Sequence, residues 1–378
     1  MITTESAFNL DFDLHLLRPS GASLSEYIFC FILLNIVLLL AYYYRNHKHF
    51  EFFTWFFTLI FCVYSFFDTD YFTFGQDFIH GLKDFRDPLY MYISQISFGS
   101  YTLFRLYIWG TAIFLIYKLF KKFSVPPNYA IYIFSSFFLL TFAYARASLG
   151  MSLYFYGLSF IIFNKYRKPT NILIGSFFFI IAFLAHRSMA LLILLTPVIY
   201  IKLNRKTIIL IIIATIILFV LKNSFIDIIY NHLDDSSSVG KTANRYKSFD
   251  AEIEMNWKFR LTSYLNKATF IIATLYLFIK YFNRIIRKNC SVQVKQIFNI
   301  TLVTFLISIT FLSSDSQGLY VIGYRFLYMT GIPLCLTISY LYYNNIIEKK
   351  KVYWLLICPV LYSESFIAGK ILSLSNIL

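Results

Sequence analysis

The stretch SEYIFCFILLNIVLLLAYYYRNHK, residues 25–48, joins a long apolar run to a basic end. Residues 25–44 contain one acidic and no basic side chain, and as a helix they are long enough to cross a hydrocarbon core of about 30 Å. Residues 45–48 carry the positive charge that is typical of the cytoplasmic end of a membrane span. The stretch therefore predicts a transmembrane helix and its direction in the membrane.

The same pattern recurs along the whole chain of 378 residues, which is 58% hydrophobic, 21% aromatic and only 14% charged. This composition lies outside the range of soluble globular proteins. We count about twelve apolar runs that approach the length of a membrane span, near residues 25–44, 51–67, 99–120, 128–144, 147–163, 170–185, 188–201, 207–222, 266–282, 296–313, 326–343 and 352–369. The sequence predicts an all-α, polytopic integral membrane protein with about 10–12 transmembrane helices, in which residues 1–378 form a single polytopic membrane domain.

Alternate connections between the runs are basic, and they hold 19 of the 34 lysines and arginines but only 2 of the 19 acidic residues. The positive-inside bias assigns these connections to the cytoplasm. Three longer segments then face outward as loops, residues 68–98, 223–265 and 314–325. Because membrane topology accounts for the net charge of +15, the lipid bilayer is the expected partner and nucleic acid is not.

The cytoplasmic connections are a few residues long, so a nucleotide-binding domain does not fit there. The sequence contains no GxGxxG, Walker or HExxH motif and no CxxC metal pattern. We therefore expect no cofactor and no metal site. The chemistry is expected to take place at the outer face or within the membrane.

Three arginines, Arg146, Arg187 and Arg325, lie at the predicted outer ends of apolar runs. An arginine at membrane depth costs about 2.5–3.5 kcal/mol on insertion scales, so it usually has a partner or a function. Each of the three could serve only as an interfacial anchor. Three at one depth favour a phosphate-binding site instead, because guanidinium groups bind phosphate bidentately and keep their charge. The expected ligand is a lipid-linked diphosphate, whose phosphates lie at the headgroup level.

The stretch SFFDTDYFTF, residues 65–74, begins a segment that mixes carboxylates with aromatic rings. This mixture suits a sugar, whose hydroxyls bind carboxylates and whose ring faces stack on aromatic side chains; the candidates are Asp70, Asp87, Tyr71 and Tyr90. An amphipathic interfacial helix fits the pattern nearly as well. A third alternative is that Asp68 and Asp70 bind a metal that serves a sugar donor. Pro88 is expected to break any helix that runs through the segment.

Two more candidates lie outside this segment. His186 either caps a helix end or, as a neutral imidazole, accepts a proton from a sugar hydroxyl. Arg245 and Tyr246 belong to the basic and aromatic stretch KTANRYKSFD, residues 241–250. That stretch is either a lid that contacts the substrate or a solvated surface loop.

Five short motifs resemble those of the EpsG family of bacterial membrane proteins, which includes oligosaccharide repeat-unit polymerases of the Wzy type. They are DTDYFTF (68–74), DPLY (87–90), RASLGMSLY (146–154), AHRSMALL (185–192) and YRFLYM (324–329). The first resembles the family's G-x-D-x-x-x-Y, but Asp68 replaces the glycine and Phe74 the tyrosine. The family often has an arginine just before this turn, where this chain has Ser65, Phe66 and Phe67.

The resemblance implies a glycosyltransferase that joins oligosaccharide repeat units, carried on undecaprenyl diphosphate, into O-antigen or a related surface polysaccharide. The reaction would take place at the outer, periplasmic face of the bacterial cytoplasmic membrane. The three arginines would hold the departing diphosphate, and His186, Asp70 or Asp87 would take the acceptor proton. A chain-length regulator is a candidate partner.

Three other functions remain open. A metal-dependent lipid-phosphate-sugar glycosyltransferase and an O-antigen ligase are the enzyme alternatives. A flippase of lipid-linked oligosaccharide is the alternative from another class, and it should carry charges midway along several spans.

Overall fold

The computed structural model describes residues 22–79, 87–144, 147–164, 168–232, 257–286, 290–313 and 317–374. Within these ranges the chain is almost entirely helical and contains no β-strand, which confirms the predicted all-α class. A helix pairs its backbone polar groups within one segment, which is what a hydrocarbon environment requires.

Short connections separate most of the helices. In chain order the α-helices are α1 (Leu24–Tyr44), α2 (Glu51–Val63), α3 (Thr69–Ile79), α4 (Pro88–Gln95), α5 (Tyr101–Lys122), α6 (Pro127–Phe137), α7 (Leu139–Tyr144), α8 (Ser148–Ile162), α9 (Pro169–Ala185), α10 (Met189–Leu195), α11 (Arg205–His232), α12 (Trp257–Tyr276), α13 (Phe282–Ile286), α14 (Val292–Leu312), α15 (Gln317–Met329), α16 (Gly331–Tyr343) and α17 (Lys349–Leu374). Two 3-10 segments, Lys48–Phe50 and Thr196–Tyr200, and one π-helical segment, Leu277–Tyr281, complete the helical structure of the described residues.

Six helical segments of the described chain are long and apolar enough to cross a membrane, which confirms a polytopic membrane protein. They are Leu24–Tyr44, Tyr101–Lys122, Tyr264–Ile286, Val292–Leu312, Tyr320–Tyr343 and Lys349–Leu374. Shorter apolar helices of 10–17 residues are Glu51–Val63, Ser148–Ile162, Pro169–Ala185, Met189–Tyr200 and Lys206–Leu221. Each apolar run predicted from the sequence coincides with one helix or with consecutive helical segments.

The three predicted outer segments contain more helix than expected. Within residues 68–98 the chain forms α3 and α4, while α11 continues to His232 and α15 begins at Gln317. Hydropathy marks the end of an apolar run, but a helix continues past that point as long as its backbone hydrogen bonds form. Pro88 lies at the first position of α4. A backbone N–H at this position has no acceptor within the helix, so proline, which lacks the N–H, costs no hydrogen bond there.

The chain divides into two compact units. The first unit is Met1–Thr196 with Ile338–Leu378, and it contains α1 to α10 and α17. The second unit is Pro197–Thr337, and it contains α11 to α15. The boundary falls within α16. A single polytopic domain stays a prediction.

In the first unit, α8 and α9 approach so closely that only glycine fits between them. A Cβ atom on Gly157 would lie 2.6 Å from Phe178 Cβ and 3.0 Å from the carbonyl oxygen of Gly175. A Cβ atom on Gly175 would lie 3.1 Å from the carbonyl oxygen of Gly157. Small residues permit such backbone approach between membrane helices, where dispersion contacts replace the hydrophobic effect.

In the second unit, Gly323 brings α15 against the end of α14. A Cβ atom on Gly323 would lie 2.6 Å from the backbone nitrogen of Leu312. The hydroxyl of Ser308 donates a hydrogen bond of 2.9 Å to the Gly323 carbonyl. The side chain of Asn299 in α14 donates to the carbonyls of Val198, at 3.2 Å, and Ile201, at 2.6 Å, so it ties α14 to the segment before α11.

Candidate active site

The DPLY and AHRS motifs meet where the start of α4 lies against the turn between α9 and α10. Asp87 precedes α4 and is buried, with 8% of its surface exposed. Its Oδ1 accepts a hydrogen bond of 3.3 Å from the backbone N–H of Arg187, a residue 100 positions away in the chain. The DPLY motif is thereby joined to the AHRS motif, and the Arg187 side chain is exposed beside a buried carboxylate.

The imidazole of His186, in the same turn, is held in one orientation by Ser188. The backbone N–H of Ser188 donates to Nδ1 at 3.2 Å, and the Ser188 hydroxyl lies 2.8 Å from the same nitrogen. A backbone N–H can only donate, so Nδ1 is the acceptor and the neutral ring carries its proton on Nε2. In this tautomer Nε2 is a hydrogen-bond donor, which argues against His186 as the base.

The RASLG motif packs against this turn through Gly150. A Cβ atom there would lie 2.9 Å from Met189 Cγ, 3.2 Å from the carbonyl oxygen of Ala182 and 3.3 Å from His186 Cβ. Glycine is therefore required for α8 to support the His186 turn. The candidate Arg146, four positions before Gly150, lies outside the described residues.

The acidic motif reaches the DPLY motif through aromatic contacts. The rings of Phe74 in α3 and Tyr90 in α4 make an edge contact with centroids 5.7 Å apart. Tyr71 and Tyr90 are 1% and 3% exposed, and both rings pack on other aromatic rings. Burial favours a packing role for these tyrosines, and their assignment as sugar contacts stays a prediction. Asp70 lies in α3, but its side chain is not among those described.

Arg105 is a functional candidate that the sequence analysis did not single out. This residue of α5 is buried, and its Nε donates to the Val63 carbonyl at 2.6 Å. One terminal nitrogen, Nη2, donates to the Cys62 carbonyl at 2.9 Å and to the Ser65 hydroxyl at 2.6 Å. Carbonyls at a helix C-terminus lack helical partners and attract positive charge, so Arg105 caps α2.

The same guanidinium lies next to the acidic motif. It stands 4.4 Å from the centroid of the Tyr71 ring, and the negative charge of the buried Asp68 acts on it. Arg105 thus brings a guanidinium to the turn where the family often has an arginine in sequence. Its position inside the apolar run near 99–120 is the signal that could have identified it.

Three further candidates belong to other parts of the chain. Arg325 lies within α15 of the second unit, half-buried, rather than at the start of an apolar run. Arg245 and Tyr246 lie outside the described residues. Among the residues that are described, no three His, Cys, Asp or Glu side chains are grouped to hold a metal ion.

Comparison with known proteins gives one match. The model of the EpsG family matches residues 68–374, which is most of the chain and includes all five motifs. No curated protein and no solved structure matches the chain.

Proposed function

We propose that this protein, which belongs to the EpsG family of Wzy-type polymerase-like membrane proteins, joins oligosaccharide repeat units carried on undecaprenyl diphosphate. The product is an O-antigen or a related surface polysaccharide. The observation that carries the proposal is the junction of four family motifs in the first unit. Phe74 and Tyr90, Asp87 and Arg187, and Gly150 and His186 make the three contacts that connect them.

The junction offers the groups that such a transfer needs. A hydroxyl of the acceptor sugar attacks the anomeric carbon of the donor, and its proton passes to the Asp87 carboxylate. The bond between that carbon and the phosphate oxygen breaks, and the electron pair leaves with the diphosphate. Arg187 stabilises the negative charge that develops on the diphosphate, and His186 Nε2–H donates to one of its oxygens. Arg146 and Arg325 are proposed as further diphosphate contacts.

The charge pattern supports an outward-facing site. The junction lies beyond Ala185, at the C-terminal end of α9, whereas the basic Lys168 precedes the other end of that helix. Similarly, α5 carries Lys121 and Lys122 in its last turn, and its first residue, Tyr101, bonds to the Tyr71 carbonyl of the acidic motif. Since basic ends face the cytoplasm, the junction faces outward. Undecaprenyl-linked units at that leaflet would reach it.

One observation favours a transporter instead. Glu364 in α17 accepts a hydrogen bond of 3.3 Å from Asn35, which lies midway along α1. A carboxylate at membrane depth is often part of a proton or substrate path. A flippase is therefore the second candidate, and it would not require the Asp87 carboxylate to act as a base.

The test compares Asp87→Asn with Asp77→Asn, which changes an exposed aspartate of the same acidic segment. Asparagine can still accept the Arg187 N–H bond, but it cannot take a proton at neutral pH. We expect Asp87→Asn to slow chain formation from lipid-linked repeat units by about 100-fold or more, as loss of a general base does. Asp77→Asn should retain the wild-type rate. A stably folded Asp87→Asn protein with the wild-type rate would refute the role of Asp87.

A further inference from the structure

The second unit contains a buried lysine ammonium, packed among tyrosine rings, to which the proposed reaction assigns no role. Lys267 in α12 is 6% exposed. Its Nζ lies 4.2 Å from the ring centroid of Tyr320, 5.0 Å from that of Tyr264 and 5.8 Å from that of Tyr324. These four residues form what we call the Lys267 cluster. It joins α12 to α15.

The cluster is fixed by contacts between α12 and α15. Asn266, which is 1% exposed, donates a hydrogen bond of 3.0 Å from Nδ2 to the Tyr324 hydroxyl. The Tyr324 ring also packs on Tyr328, with centroids 4.3 Å apart. The Tyr320 and Tyr324 rings are nearly parallel. Lys267 is therefore surrounded by rings whose positions are set before any ligand arrives.

The ammonium nevertheless has unused hydrogen-bonding capacity. It carries three N–H donors, and among the described residues none accepts a hydrogen bond from it and no carboxylate pairs with it. Ring faces stabilise a cation only in part. A buried charge without an oxygen acceptor is costly, so the cluster is suited to an anionic oxygen supplied from outside the chain.

The depth of the cluster indicates which anion. Lys267 comes two residues after the predicted outer segment 223–265. Tyr320 lies within the predicted outer segment 314–325. Both positions therefore place the cluster near the outer membrane boundary, within reach of lipid phosphates. The Tyr264 ring is 62% exposed and offers a face for stacking.

We propose that the Lys267 cluster binds the phosphoryl oxygens of a membrane-embedded lipid, as a second anion site. The inference rests on the proposed function, because a reaction between two lipid-linked substrates presents two diphosphates. Lys267 would hold one of them while the arginines hold the departing one. An ordinary phospholipid headgroup offers the same phosphoryl chemistry, and the experiment separates the two sources.

The experiment measures lipid binding to the purified full chain in nanodiscs. Sugar-free undecaprenyl diphosphate is the first probe and phosphatidylglycerol the second. The variants are Lys267→Met, which removes the charge, Lys267→Arg, which keeps it, and Lys280→Met, which removes an exposed lysine at the other end of the same helical segment. Lys267→Gln serves as the neutral variant if the methionine variant is not recovered folded.

We expect the neutral variant to weaken binding of undecaprenyl diphosphate by about tenfold or more, as loss of a charged hydrogen bond does. Lys267→Arg and Lys280→Met should bind as the wild type does. A loss confined to phosphatidylglycerol would assign the site to a phospholipid headgroup. Unchanged binding of both lipids would overturn the proposal. Because neither probe carries a sugar, the result does not depend on whether the protein polymerises glycans.

Discussion

At the scale of single residues, Arg105 shows how one buried charge can organise a site without entering its chemistry. Its guanidinium contacts two carbonyls at the end of α2, the Ser65 hydroxyl and the face of Tyr71. These contacts fix the turn that carries Asp68 into α3. A guanidinium spreads its N–H donors over three nitrogens in one plane, whereas the donors of a lysine ammonium share one nitrogen and cannot reach all of these acceptors.

Arg105→Lys is therefore expected to destabilise the fold although it conserves charge. The loss should be about 1.5–3 kcal/mol, the value of a hydrogen bond to a charged group. The measurement is the apparent unfolding temperature of the purified protein in detergent. Arg284→Lys, at an exposed arginine, is the matched control. Equal unfolding temperatures for the two variants would contradict the role of Arg105.

The residue contacts of the junction could not have been predicted from the sequence. Motifs selected Asp87, His186 and Arg187 as candidates, but the bond between Asp87 and the Arg187 N–H joins distant residues and depends on tertiary packing. The tautomer of His186 depends on the geometry of one turn. By contrast, Arg105 was predictable in principle, because an arginine within an apolar run is unusual on energetic grounds alone.

At the scale of helices, close packing of α8 on α9 supports the junction. Gly150 and Gly157 lie two turns apart on one face of α8, and both approach α9 or the turn after it. Hydropathy predicted the helices themselves well, because an apolar run of sufficient length has few alternatives in a membrane. It could not predict the helices α3 and α4, since their polar and aromatic residues do not form a long apolar run.

Gly157→Ala is expected to separate α8 from α9 or strain them. The new methyl group would meet Phe178 Cβ and the Gly175 carbonyl, neither of which is the end of a flexible side chain. Overpacking of this kind costs about 1–3 kcal/mol. Gly110→Ala is the control, because a Cβ atom there meets nothing within 4 Å. Thermal unfolding should show Gly157→Ala below the wild type and Gly110→Ala at or above it; the reverse order would contradict the packing argument.

At the scale of the whole molecule, the distribution of charge predicts the orientation in the membrane. Basic connections hold 19 of 34 lysines and arginines and 2 of 19 acidic residues, an asymmetry that the positive-inside bias converts into a topology. Reporter fusions after residues 90 and 245 are expected to read external. Fusions after residues 122, 167 and 288 are expected to read cytoplasmic. An active cytoplasmic reporter after residue 245 would contradict this topology.

The most direct test of the central claim is reconstitution of the purified chain into liposomes with undecaprenyl-diphosphate-linked repeat units. The measurement follows glycan chain length and released undecaprenyl diphosphate together, with and without EDTA. We predict one released carrier for each new glycosidic bond, and growth that continues in EDTA because arginines supply the positive charge at the diphosphate. Movement of unextended units across the bilayer without release of the carrier would contradict the account, as would activity that EDTA abolishes and Mn²⁺ restores.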